Sequence, residues 1–152
     1  MIARSKQTGT GNQKMPTLET IQTQIKSLLP PDSNVNIDIL FLYHPAFHCL
    51  TELLEEEESI KAYCIGLLEG SHKKYPSGKW LLVKTSKRYL FIFKSIVKTS
   101  FEHFALDFKN IQKITYNLGW FFGKIQFTSE SNTITLLQIG KRDFRFYEEC
   151  QS

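Results

Sequence analysis

Cysteine is scarce in this chain, and no stretch of it stays apolar for long. The only cysteines are Cys49, Cys64 and Cys150. Their number is odd and they form no Cys-x-x-Cys pair or Cys/His cluster, which argues against both a disulfide framework and a structural zinc. No run approaches the ~20 apolar residues of a membrane-spanning helix. Arg4 has no apolar stretch behind it, so no export signal is expected and the thiols should stay reduced in a cytoplasm. The chain also lacks a glycine-rich phosphate loop and any Ser/His/Asp or Cys/His grouping, and its carboxylates cluster only at Glu55–Glu58. His44 and His48 lie four apart, the spacing of two ligands on a helix, but Pro45 stands between them and no third ligand is evident. No catalytic residue, metal or cofactor is therefore expected, and the chain does not read as an enzyme.

What is present is aromatic weight and an uneven spread of charge. Of 152 residues, 41% are hydrophobic and 13% aromatic, with 12 phenylalanines. Aromatic side chains bury large areas, so even a short β-rich region can build a stable core. Residues 1–58 hold four Lys/Arg against eight Asp/Glu, a net of −4; residues 59–152 hold 15 against seven, a net of +8. An acidic first part beside a basic second part points to an anionic partner or to mutual attraction between the two.

Organisation follows from periodicity. Residues 1–16 have too little apolar content to offset ordering entropy and are expected to form a disordered tail. Residues 17–58 read as helical. Thr17 can cap a first helix carrying Leu18, Ile21, Ile25, Leu28 and Leu29, which Pro30-Pro31 ends. Asp32 or Ser33 can cap a second helix through Ile37, Leu40 and Phe41, broken at Pro45. A third carries Phe47, Leu50, Leu53 and Leu54 into Glu55–Glu58, a run read as a solvated helix end.

From residue 59 to 152 the period becomes that of strands. Lys61–Leu68 supplies the first, and Gly70–Gly78 a polar loop with Pro-Ser-Gly turn chemistry. Trp80–Val83 and Tyr89–Phe93 flank Lys84-Thr-Ser-Lys-Arg88 as a hairpin with cations at its tip. Thr99–Leu106, Gln112–Tyr116, Trp120–Thr128 and Thr133–Ile139 follow, with Gly123 a bulge or bend. A short helix after Asp143 ends the chain. The expected fold class is α+β: a helical N-terminal region and a seven-stranded barrel or sandwich with a C-terminal capping helix.

Three segments carry a resemblance. Trp80–Ile92 (WLLVKTSKRYLFI) resembles the hairpin of bacterial PH-like domains, the YokE-like and GRAM-like group, with Thr85 and Arg88 in register. Leu106–Ile114 is similar to that group's next turn, and Gly119 to Phe127 to its glycine-containing strand. The resemblance covers roughly residues 55–150 and implies the PH-like superfold. In eukaryotic PH domains the first loop holds phosphate groups, which implies Lys73, Lys74 and Lys79 as lipid- or phosphate-binding residues. Lys87 and Arg88, on the next hairpin tip, belong at the opposite end of a barrel.

Tyr89, Phe91 and Phe93 alternate with Leu90 and Ile92, so the strand is apolar on both faces and needs two covers. One is the barrel core; the other is the N-terminal helices or another subunit. Tyr89, Phe91, Phe93, Trp120 and Phe122 form the expected partner face. The function expected is a non-enzymatic module that binds a protein or peptide, or self-associates, through a sheet edge or this face. The alternative is peripheral attachment to an anionic membrane through the basic first loop. No nucleic acid partner is expected, since no RNA-binding signature accompanies the charge.

Overall fold

A computed structural model of the chain describes residues 15–69, 78–140 and 144–151. The expected tail at 1–16 and the loop with Lys73 and Lys74 thus lie almost wholly outside the described residues. Helix α1 spans Leu18–Leu28, and the Thr17 hydroxyl accepts from the Thr20 amide at 3.1 Å. It stops where Leu29, held extended before Pro30, leaves helical geometry. Helix α2 spans Ile37–Tyr43 and is capped by Asn36, not by Asp32 or Ser33. The Asn36 side chain accepts from both the Asp38 and Ile39 amides.

The expected third helix is two pieces, a 3-10 turn at Pro45–Cys49 and one α-turn, α3, at Leu50–Leu53. The tighter turn gathers Ala46, Phe47, Cys49 and Leu50 on the buried side. The chain then reverses through Glu57, whose φ of 65° is left-handed.

Seven strands follow: β1 Ile60–Leu68, β2 Lys79–Thr85, β3 Arg88–Lys94, β4 Phe101–Asp107, β5 Lys113–Leu118, β6 Phe122–Thr128 and β7 Thr133–Gly140. They form one antiparallel sheet in the order β4-β3-β2-β1-β7-β6-β5. Strand β1 pairs with β2 along its length and with β7 at Leu67 and Leu68. Gly66 allows this approach, since a Cβ there would lie 2.6 Å from the Leu137 carbonyl oxygen. The register of β6 on β7 slips between Gly123 and Ile125, as the glycine suggested. Trp120 and Phe121, expected to open that strand, stand instead in the turn before it. Helix α4, Phe144–Gln151, closes the chain.

The sheet separates two apolar layers. Trp80, Leu82, Tyr89 and Phe91 join Ala62, Cys64, Phe127, Leu136 and Phe146 in one cluster. The alternate residues Leu81, Val83, Leu90 and Ile92 pack beneath Ile21, Ile25, Phe41, Phe47, Leu50 and Leu54 of the helical region. The second cover of β3 is therefore the chain's own N-terminal helices. Full burial of each such side chain contributes ~1.5–3 kcal/mol, so a dozen of them make the helices integral to the sheet.

Candidate functional site

The tip of the β2–β3 hairpin is tied inward. Arg88 Nε lies 3.1 Å from Glu58 Oε2, and its Nη2 lies 3.1 Å from Oε1 and 2.8 Å from the Leu53 carbonyl. The Thr85 hydroxyl is 2.5 Å from Glu58 Oε2 and accepts from the Lys87 and Arg88 amides. The Glu55 amide completes the shell of Glu58 at 2.9 Å. The Glu58 side chain is fully buried. Burial pushes its carboxyl up, but the bonds from Arg88, the Glu55 amide and Thr85 outweigh that and hold it below the usual carboxylate range. Glu58 is thus no solvated helix end. It joins the helical region to the signature hairpin, and Arg88 is spent on that joint. Lys87 is the outer cation of the tip and pairs with Glu55 at 3.2 Å.

Lys84 is also not at the surface. Its ammonium donates to the Glu149 carbonyl at 2.5 Å and sits over the Phe108 ring. A hollow of about 450 Å³ beside it is lined by Tyr89, Phe108, Ile111, Lys113 and Cys150. Burial pushes the Cys150 thiol up to about 11, so it stays protonated and unreactive at neutral pH. Cys49, buried under the helices, behaves alike at about 11.

The expected aromatic face divides in two. Tyr89 and Phe91 are buried, with Phe91 stacked on Phe104 at 4.5 Å and Tyr89 edge-on to Phe127 at 4.9 Å. They belong to the buried core on that face of the sheet, a correction to their reading as partner residues. Phe93 is half-buried against Trp80. Trp120 and Phe121, by contrast, are 86% and 76% exposed, with Phe122 beside them more than half exposed.

These three continue into β5, whose inward row Ile114, Tyr116 and Leu118 starts in the core and ends in solvent. Among the described residues β5 pairs only with β6 and is an edge of the sheet, as β4 is at the other end. The edge of β5 thus lies next in sequence to three exposed aromatic side chains.

A second surface was not anticipated. Where the helical region meets the start of β2 and the end of β3, a cleft of about 480 Å³ opens between Tyr43, His44 and Pro45 on one side and Lys79, Phe93, Lys94 and Ile96 on the other. Burial, then the nearby Lys79 charge, lowers the His44 pKa, so it is neutral at neutral pH. His44 and His48 do not share one helix. His44 ends α2, and His48 lies in the 3-10 turn with its ring edge-on to Phe41 at 5.6 Å. Among the described residues no group of His, Cys, Asp or Glu is placed to hold a metal. No described helix is long and apolar enough to cross a membrane. Of the expected phosphate-binding lysines only Lys79 is described, and it lines the cleft. No single stretch of the sequence signals this cleft, because its two walls come from segments far apart in the chain.

Seven antiparallel strands in one open sheet, preceded by helices and followed by a short C-terminal one, define a PH-like domain. The family described as bacterial PH domain matches residues 54–148, and the chain belongs to that family. Solved structures similar to it include a pleckstrin-homology protein of the DUF1696 family from Shewanella loihica, at 14% identity. That match covers 76% of this chain and 89% of that one with a TM-score of 0.47. A pleckstrin homology domain from Shewanella amazonensis is 15% identical over 76% and 94%, with a TM-score of 0.43. The C-terminal domain of an unknown protein from Leishmania infantum is 18% identical over 74% and 94%, with a TM-score of 0.47. No curated protein matches the chain.

Proposed function

We propose that the chain is a non-enzymatic binding module that works by strand pairing along β5, with a second copy of itself as the partner. The observation that carries this is the edge itself. Among the described residues β5 has one ladder partner, and it holds no proline and a single charge, Lys113, at its end. Edges that must stay unpaired are commonly interrupted by charge or proline. The opposite edge, β4, does carry Glu102, His103 and Asp107.

Two copies of β5 laid antiparallel about Thr115 place Lys113 opposite Asn117, so no like charges meet. The exposed Tyr116, Leu118, Trp120, Phe121 and Phe122 would then be covered from both sides. The added strand gains backbone hydrogen bonds, and the aromatic patch supplies apolar burial. Light scattering tests the proposal: the mass should rise from one chain toward two with concentration, and Tyr116→Lys with Leu118→Lys should hold it at one. A wild-type mass of one chain at every concentration would overturn it.

A further inference from the structure

The hollow beside Lys84 lies at the start of β5, and the backbone of β5 decides what a second copy can place in it. An antiparallel ladder bonds alternate residues to each neighbour. The Gly119 amide donates to the Phe122 carbonyl at 2.9 Å, and Leu118 stands opposite Gly123. Lys113, Thr115 and Asn117 are therefore bonded to β6, and Ile114, Tyr116 and Leu118 turn their amides and carbonyls to the edge. A second copy of β5 must bond to that even set. Centring the pair on Thr115 does so, because Ile114 then exchanges hydrogen bonds with the partner's Tyr116. Directly opposed residues carry their side chains on the same face of a sheet. The partner's Tyr116 thus stands beside Ile114, on the face where Ile114 packs against the core and forms a wall of the hollow.

The hollow suits a phenol. Its volume of about 450 Å³ lies within the ~300–1,000 Å³ range of pockets that take ligands. Phe108, Ile111 and Ile114 give it apolar walls, and Lys84 gives it a donor. Lys84 is only 9% exposed, on a strand face otherwise given to Trp80 and Leu82. An ammonium carries three donors. One goes to the Glu149 carbonyl, and the Glu149 carboxylate stands off at 3.8 Å. Lys84 therefore keeps a donor for an oxygen placed in the hollow. The Tyr89 hydroxyl is already engaged with the Cys150 thiol.

We propose that this hollow is the socket for the partner's Tyr116, whose ring lies against Phe108 and Ile114 and whose hydroxyl accepts from the Lys84 ammonium. The inference rests on the self-pairing of β5 and adds to it a register and a contact that locks that register. By two-fold symmetry each dimer holds two such sockets, so the loss of one bond is felt twice.

Sedimentation equilibrium of the full chain over a concentration series tests it. Tyr116→Phe, which keeps the ring, should raise the dimer dissociation constant at least tenfold, and Lys84→Met should do the same. The double variant should be no weaker than either single one, since both remove the same bond. If Lys84 serves only to hold α4, the two effects will add or Lys84→Met will leave the dimer unchanged. Thr115 meets its own copy across the axis at a Cα separation of ~4.5 Å, within the span of a disulfide. Thr115→Cys should therefore yield a disulfide-linked dimer on mild oxidation that the unaltered chain does not form. A chain that dimerises while the two single variants act independently, or while Thr115→Cys stays unlinked, would overturn the socket and leave the self-pairing of β5 standing. A chain that stays single at every concentration would overturn both.

Discussion

Arg88 meets Glu58 side-on, with Nε and Nη2 each 3.1 Å from a different carboxylate oxygen, across 30 residues of sequence. The pair is the joint between the helical region and the sheet, and it sits in the hairpin whose Thr85 and Arg88 mark the family. A buried pair of this kind contributes little over a well-packed apolar pair, but breaking one side leaves an unpaired buried charge. Arg88→Ala should therefore cost ~3–5 kcal/mol in urea denaturation, and Thr85→Val ~1–3 kcal/mol for the lost hydroxyl. A loss below the experimental error for Arg88→Ala would show the joint to be ornamental.

The same joint sets an acid limit. The Glu58 carboxyl lies below its ordinary range in the folded chain. Its contribution is fully present above the unfolded carboxylate pKa and is lost as pH falls through the folded one. Stability should be flat near neutrality on this account and fall in the acid range. Glu58→Gln should be less stable at neutral pH and show a shallower acid decline. An unchanged pH slope in that variant would remove Glu58 as a contributor.

The N-terminal helices should behave as part of the core. Phe47, buried against Phe41 and Tyr63 at ring distances of 4.7 and 5.3 Å, should cost ~3–5 kcal/mol when changed to Ala. Deleting residues 1–54 should expose Leu81, Val83, Leu90 and Ile92 and yield a chain that binds hydrophobic dye or precipitates. A soluble, dye-silent truncation with native thermal stability would mean that the helices only rest on the sheet.

The exposed turn should separate stability from association. Trp120→Ser with Phe121→Ser should change folding stability by no more than ~0.5 kcal/mol, as expected for surface positions. The same variant should weaken self-association measurably by sedimentation velocity. Phe91→Ala, in contrast, should cost ~3–5 kcal/mol in stability.

Much of this was legible in the residues. Strand periodicity located the sheet, and the unbroken apolar run Tyr89–Phe93 showed that β3 needed two covers before either was seen. Which aromatics were core and which surface was not legible: Tyr89 lies on an interior strand and Trp120 in the turn before β6, and the local pattern marks neither place. Glu58 was misread because a run of four glutamates looks solvated. Only the left-handed turn at Glu57 and the distant Arg88 make its last member inward-facing. The cleft was invisible for a similar reason, since His44 and Lys79 meet only once the helices fold over the sheet.

The central claim is that β5 is a pairing edge, and amide hydrogen exchange across Lys113–Leu118 at two protein concentrations tests it most directly. Amides of β5 directed at β6 should stay protected throughout, while the alternate, outward amides should be protected only in the concentrated sample. Rapid exchange of the outward amides at both concentrations would contradict the account.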